Sequence, residues 1–170
     1  MEYEKRCREC GAEAFEEEKV EQAVALFKEG YNCSQAVSMA LADLYDIEPE
    51  MMARLTSSFG GGIGRMRETC GAACGIFTLV GLELTKDGEK FPDGELKRIN
   101  YEVVQELAAN FKEQTGSLFC RELLGLGKAN VSATPDVRTT DFYRKRPCTQ
   151  MVEIAVRVYL KWLNEKSLEK

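Results

Sequence analysis

Cys33-Ser34-Gln35-Ala36-Val37-Ser38-Met39-Ala40-Leu41-Ala42-Asp43-Leu44 puts Cys33, Ala36, Val37, Ala40, Leu41 and Leu44 on one continuous apolar face at helical spacing. The same period recurs on either side of it. Upstream, Val20, Ala23, Val24 and Phe27 predict a helix over about Cys10 to Lys28, ended by Gly30. Downstream, Pro49 suits the first turn of a helix running to about Phe59. Another helix opens near Thr69-Cys70, with Cys70, Ala73, Cys74, Phe77 and Leu84 on one face. Turns are marked by Asp87-Gly88 and Pro92-Asp93-Gly94. A helix over about Gly94 to Gln114 carries Leu96, Ile99, Val103, Leu107 and Phe111, and Gly116 stops it. The stretch from Cys120 to Pro147 is the least regular, with a short turn at Arg121-Glu122-Leu123-Leu124. Pro147-Cys148 opens a last helix striped by Cys148, Met151, Val152, Ala155, Tyr159 and Trp162. Strand patterns are scarce. The fold class expected is all-α, a single-domain bundle of about six helices over residues 1–170, with short connections and one glycine-rich loop.

Composition narrows the function. At 170 residues the chain can bury a sizeable core, and 44% hydrophobic with 30% charged residues is ordinary for a globular protein. A net charge of −5 without a basic block argues against nucleic acid or an anionic membrane as partner. The apolar run Ala72 to Leu82 is too short and interrupted to span a bilayer. The start, Met1-Glu2-Tyr3-Glu4-Lys5-Arg6, has no apolar signal core, so a cytoplasmic location is expected. The chain has no histidine, which removes Ser/His and Cys/His catalytic pairs, an imidazole base and histidine ligation of zinc or haem.

The chemistry left is that of cysteine. Seven cysteines, an odd number at irregular spacing, do not read as a disulfide framework, but as thiols, metal ligands or redox centres. Cys33, Cys70 and Cys148 each fall where a helix is expected to start, where free N–H groups and the macrodipole favour a thiolate. Arg65, Arg67, Arg121, Arg144, Lys145 and Arg146 are near enough in sequence to lower thiol pKa values if the fold brings them close. Against this stands the general habit of free cysteine, which is to fill cores as a small hydrophobe. Cys70 and Cys74, four apart on a helix, suit either shared metal ligation or packing.

Other motifs carry less. Cys7-Arg8-Glu9-Cys10 is a CxxC followed by glycine, so it is no c-type haem site. No βαβ pattern surrounds it and no second close pair completes a zinc ribbon, which leaves an incidental or accessory role. Gly60-Gly61-Gly62-Ile63-Gly64 lacks the Gly-Lys-Ser/Thr ending and preceding strand of a phosphate loop. It suits a close backbone approach to a cofactor, a nest of N–H groups facing an anion or thiolate, or a tight turn between helices. Glu16, Glu17 and Glu18 read as a solvated helix face.

Taken in order, four segments resemble the C_GCAxxG_C_C family of redox-active cysteine proteins. These are Asn32-Cys33-Ser34-Gln35-Ala36-Val37, the loop from Phe59 to Arg65 with Cys70-Gly71-Ala72-Ala73-Cys74-Gly75, Cys120-Arg121-Glu122-Leu123-Leu124-Gly125, and Pro147-Cys148. The resemblance covers residues 23–163, with 1–22 as an N-terminal helical extension. It implies that Cys33, Cys70, Cys120 and Cys148 are the functional set, as redox centres or metal ligands, with Cys74 a further ligand candidate. Gly60, Gly61, Gly62, Gly64 and Gly71 would approach a cofactor. Related domains occur in multihaem cytochromes, but with no CxxCH here haem does not carry over.

The leading expectation is a small cytoplasmic redox protein. Its four cysteines would meet in a pocket among helix starts, beside the glycine loop, cycling as dithiol and disulfide or holding an iron–sulfur cluster for an unidentified redox partner. The alternatives are a zinc or iron–sulfur module without turnover, and a helical homodimer with cysteines as core filler.

Overall fold

A computed structural model of the chain describes residues 2–91, 93–127 and 132–168; the expected turn residue Pro92 lies outside them. Among the described residues nine helices follow in order: α1 Glu2–Cys10, α2 Ala12–Glu29, α3 Cys33–Ala40, α4 Pro49–Thr56, α5 Gly71–Thr85, α6 Gly94–Thr115, α7 Cys120–Leu123, α8 Thr140–Lys145 and α9 Cys148–Leu168. Short 3₁₀ turns cover Ala42–Tyr45 and Ser57–Phe59. No strand forms among the described residues, only an isolated antiparallel bridge between Thr69 and Phe119. The protein is all-α.

α3 is the centre of the bundle, packing against α2, α4, α5 and α9. The sequence predicts one apolar face for it, but Ser34 and Ser38 are buried as well as Ala36, Val37, Met39 and Ala40. Small side chains let neighbours close in on all sides. Ser38 satisfies its hydroxyl on the Ser34 carbonyl at 2.8 Å and against Thr56 Oγ1 at 3.0 Å. A capping box starts the helix: the Asn32 side chain accepts from Ser34 and Gln35 N–H, and Gln35 returns a bond to the Asn32 N–H. The first residue inside that cap is Cys33.

The N-terminal boundary differs from expectation. Cys10 ends α1 instead of opening the long helix, because Gly11 takes φ 88° and breaks the chain there. α1 is held by Tyr3, which is buried, stacks edge-on against Phe15 at 5.8 Å and donates to the Leu160 carbonyl at 3.4 Å. The glutamates of α2 remain largely solvated and also bridge helices: Glu16 and Glu17 meet Arg157 of α9, and Glu18 meets Arg6. Such partly exposed pairs contribute at most about 1 kcal/mol each. The expected irregular stretch after Cys120 contains α7 and α8.

Candidate thiol site

Three helices begin on a cysteine: α3 on Cys33, α7 on Cys120 and α9 on Cys148; Cys70 caps α5. All four line one cavity of about 300 Å³, together with Gly60, Gly61, Gly62, Gly64 and Gly71. Convergence comes from backbone stitching. Cys70 N–H donates to the Leu118 carbonyl at 2.8 Å, and Cys120 N–H donates to the Glu68 carbonyl at 2.7 Å. The segments before α5 and α7 therefore run side by side and deliver both thiols to the same place.

The glycines allow this approach. A Cβ on Gly62 would lie 2.6 Å from Cys120 Cβ, and one on Gly71 would lie 2.8 Å from the Phe59 carbonyl oxygen and 3.4 Å from Cys33 Cβ. Five successive residues, Gly61 to Arg65, hold φ between 58° and 72°, and Arg67 holds 64°. Left-handed backbone costs a non-glycine residue about 1–2 kcal/mol, so Ile63, Arg65 and Arg67 are strained. The N–H groups of residues 63 to 68 are spent on carbonyls within the loop and the turn before it, such as Gly64 on Ser58 at 2.7 Å and Glu68 on Gly62 at 3.0 Å. The amides of residues 63 to 68 thus hold the loop's own shape.

Three of the six basic residues named from sequence reach the cavity: Arg65, Arg67 and Arg146. They share one carboxylate, Asp136, at 2.6, 3.7 and 3.0 Å. The Arg65 hydrogen bond, with the neighbouring guanidiniums, holds that carboxyl below the usual range. Arg121 instead pairs with Glu68, and Arg144 and Lys145 pair with Asp141 at the surface, all away from the thiols. Sequence reasoning missed Asp136 and Arg138. Arg138 stacks over Phe27 at 4.5 Å and Phe142 at 5.0 Å, and donates to the Phe27 and Tyr31 carbonyls. No spacing rule marks either residue; only the path of the loop before α8 brings them to the cavity.

The thiols are not equivalent. Cys148 is lowered to about 7, first by its hydrogen bond with Cys33, then by Arg146, Arg138 and Arg67. Cys33, its partner, is raised by that bond and by burial. Cys120 has Arg67 Nη1 at 3.9 Å, yet burial outweighs the cation and raises it. Cys70 receives help from the Ala72 and Ala73 N–H groups, but burial dominates and pushes it up to about 12. The helix-start rule therefore predicts a thiolate at Cys70 that desolvation forbids. Cys74 lies outside the cavity, and burial takes it to about 11. Cys7 is half-buried and Cys10 exposed on α1.

Cys70 gives a pH prediction. Its folded value exceeds the ordinary thiol value of about 8.5, so its contribution to stability is complete below about pH 8.5 and is lost as pH rises towards 12. At pH 10 the loss is about 2 kcal/mol. Urea unfolding of the wild type and Cys70→Ala at pH 7.5 and 10 should show a shallower alkaline decline in the variant.

The family described as "Putative redox-active protein (C_GCAxxG_C_C)" matches residues 31–162. This chain belongs to that family. The match takes in the glycine loop and all four cavity cysteines of this C_GCAxxG_C_C protein, and leaves out Cys7 and Cys10. No curated protein and no solved structure gives a match. In the C_GCAxxG_C_C chain, no helix among the described residues is long and apolar enough to cross a membrane. Nor do any three Cys, Asp or Glu side chains among them converge closely enough to hold one ion.

Proposed function

We propose that this protein is a thiol–disulfide redox protein whose working pair is Cys148 and Cys33, with Cys70 and Cys120 as neighbouring thiols of the same cavity. What carries the reading is that Cys33 and Cys148, the first residues of α3 and α9, line the same cavity, where each shifts the other's acidity, Cys148 downward and Cys33 upward. A dithiol mechanism needs an attacking thiolate and a second thiol in reach. Cys148 is the attacker, since three arginines and the Cys33 hydrogen bond favour its anion. Cys33 keeps its proton until a mixed disulfide forms on Cys148, then attacks that sulfur and closes the intramolecular bond. The family's description as redox-active is in keeping with a redox role. A reducing compartment such as the cytoplasm suits a working dithiol.

The test uses protein purified without oxygen. Mild oxidation with diamide should remove two of the seven thiols, link the peptides of Cys33 and Cys148, and reverse with dithiothreitol. Cys33→Ser should instead leave Cys148 in intermolecular disulfides. Broad absorbance near ~400 nm with iron and sulfide would assign the thiols to a cluster, and stoichiometric zinc would assign them to a metal module; either would overturn the proposal. So would oxidation that spares both residues.

A further inference from the structure

Among the described residues lining the cavity, four arginines, Arg65, Arg67, Arg138 and Arg146, face one carboxylate, Asp136. Asp136 is shared by three of them, and Arg138 meets carbonyls and rings instead of an acid. Arg67 is 4% exposed, and its Nε is a buried donor with no partner. Leaving such a donor unpaired is costly, most of all on a charged group. A site that retains this excess of guanidinium beside thiols is built for an anion from outside the chain. Planar guanidiniums match carboxylates through paired N–H bonds. Phe27, Leu123, Leu124 and Met151 line the apolar part of the wall, which suits the carbon skeleton of a small molecule.

We propose that the cavity takes a small carboxylate-bearing disulfide, its carboxylates held by Arg67, Arg138 and Arg146 while its S–S bond lies against Cys148. This rests on the thiol–disulfide reading and names its substrate class. Cys148 Sγ attacks one substrate sulfur; the substrate S–S bond breaks, a mixed disulfide forms and one thiolate leaves. Cys33 gives up its proton and attacks Cys148 Sγ, which releases the second thiolate. One disulfide and two protein thiols become two small thiols and one Cys33–Cys148 disulfide.

The test compares three disulfides as oxidants of the reduced protein: glutathione disulfide, which is anionic, hydroxyethyl disulfide, which is neutral, and cystamine, which is cationic. The ratio of anionic to neutral rate is the readout, because a change in Cys148 ionisation affects both and cancels. At low salt the ratio, corrected for the reagents' ratio with a small free thiol, should be about tenfold or more. It should shrink in high salt and fall towards one in Arg138→Gln. Arg146→Gln is the second variant should Arg138→Gln fail to fold. Glutathione sulfonate, which cannot exchange, should bind the wild type and compete with the anionic disulfide. Reaction with all three disulfides without charge preference, and no binding of glutathione sulfonate, would overturn this inference and leave the thiol reading standing. No reaction with any of them would overturn both.

Discussion

At pH 7, 4,4′-dithiodipyridine should react with Cys148 hundreds of times faster than with Cys70, and Cys148→Ser should remove the fast phase. With its value near 7, about half of Cys148 is thiolate at that pH, whereas Cys70, near 12, is ionised in about one molecule in 10⁵. A more basic thiolate is the better nucleophile, with a Brønsted slope of about 0.4–0.5. That returns a factor of about 200 to Cys70, leaving Cys148 ahead by roughly 300-fold on ionisation alone. Burial of Cys70, which is 5% exposed, adds to the gap. Against an ordinary thiol the same arithmetic gives Cys148 only about a threefold advantage, so its lowered pKa serves to select the attacker more than to accelerate it. The reaction is best followed in a Cys10→Ser background, because Cys10 is exposed. A fast phase with its midpoint near pH 8.5, or one that survives Cys148→Ser, would mean that the arginines and Cys33 do not govern this thiol.

Gly62→Ala should destabilise the protein by about 2–5 kcal/mol. Two costs add at this one position. Its φ of 72° charges a side chain about 1–2 kcal/mol. The new Cβ would also meet Cys120 Cβ at 2.6 Å, the Glu68 nitrogen at 2.8 Å and the Arg67 carbonyl carbon at 2.9 Å. Two of those atoms are backbone held by the Thr69–Phe119 pairing and cannot swing aside, so an overpacking cost of about 1–3 kcal/mol follows. For a chain of this size the sum lowers Tm by roughly 4–20 °C. Gly81→Ala is the control: it sits inside α5 with no atom within 4 Å of the added Cβ, and should be neutral or stabilising by up to about 1 kcal/mol. Calorimetry on both variants checks the pair. Equal Tm values for the two would show that the loop can yield. If Gly62→Ala folds at low temperature, its Cys148 reactivity reports whether the loop also positions the thiol pair.

The helices could be read from residues 20–59, 94–115 and 148–168 because their apolar faces repeat at helical spacing and their ends carry Asn32, Pro49, Gly30 and Gly116. Those are local signals, set within one or two turns of chain. Cys33, Cys70 and Cys148 could be picked out for a related reason, as each falls at a helix start, whereas Cys120 lay in an expected irregular stretch and was named through the family resemblance. Gly11 is the local signal that the hydrophobic period obscures, since the charged residues before it give no stripe yet fold onto Phe15 through Tyr3.

The sequence by itself determined an all-α chain without histidine, and its resemblance to the family singled out four of the seven cysteines. Only the tertiary structure decided which of the thiols ionises. A helix N-terminus lies beside both Cys70 and Cys148, but Cys70 is sunk in the core, where desolvation outweighs two N–H bonds, while Cys148 faces Cys33 and three guanidiniums. Arg67 acts on Cys148 from a distant part of the chain, and Asp136 gathers Arg65 and Arg67 from before α5 with Arg146 from before α9. Charge effects of this kind depend on distance through space and on burial, and neither is written in the spacing of residues along a chain.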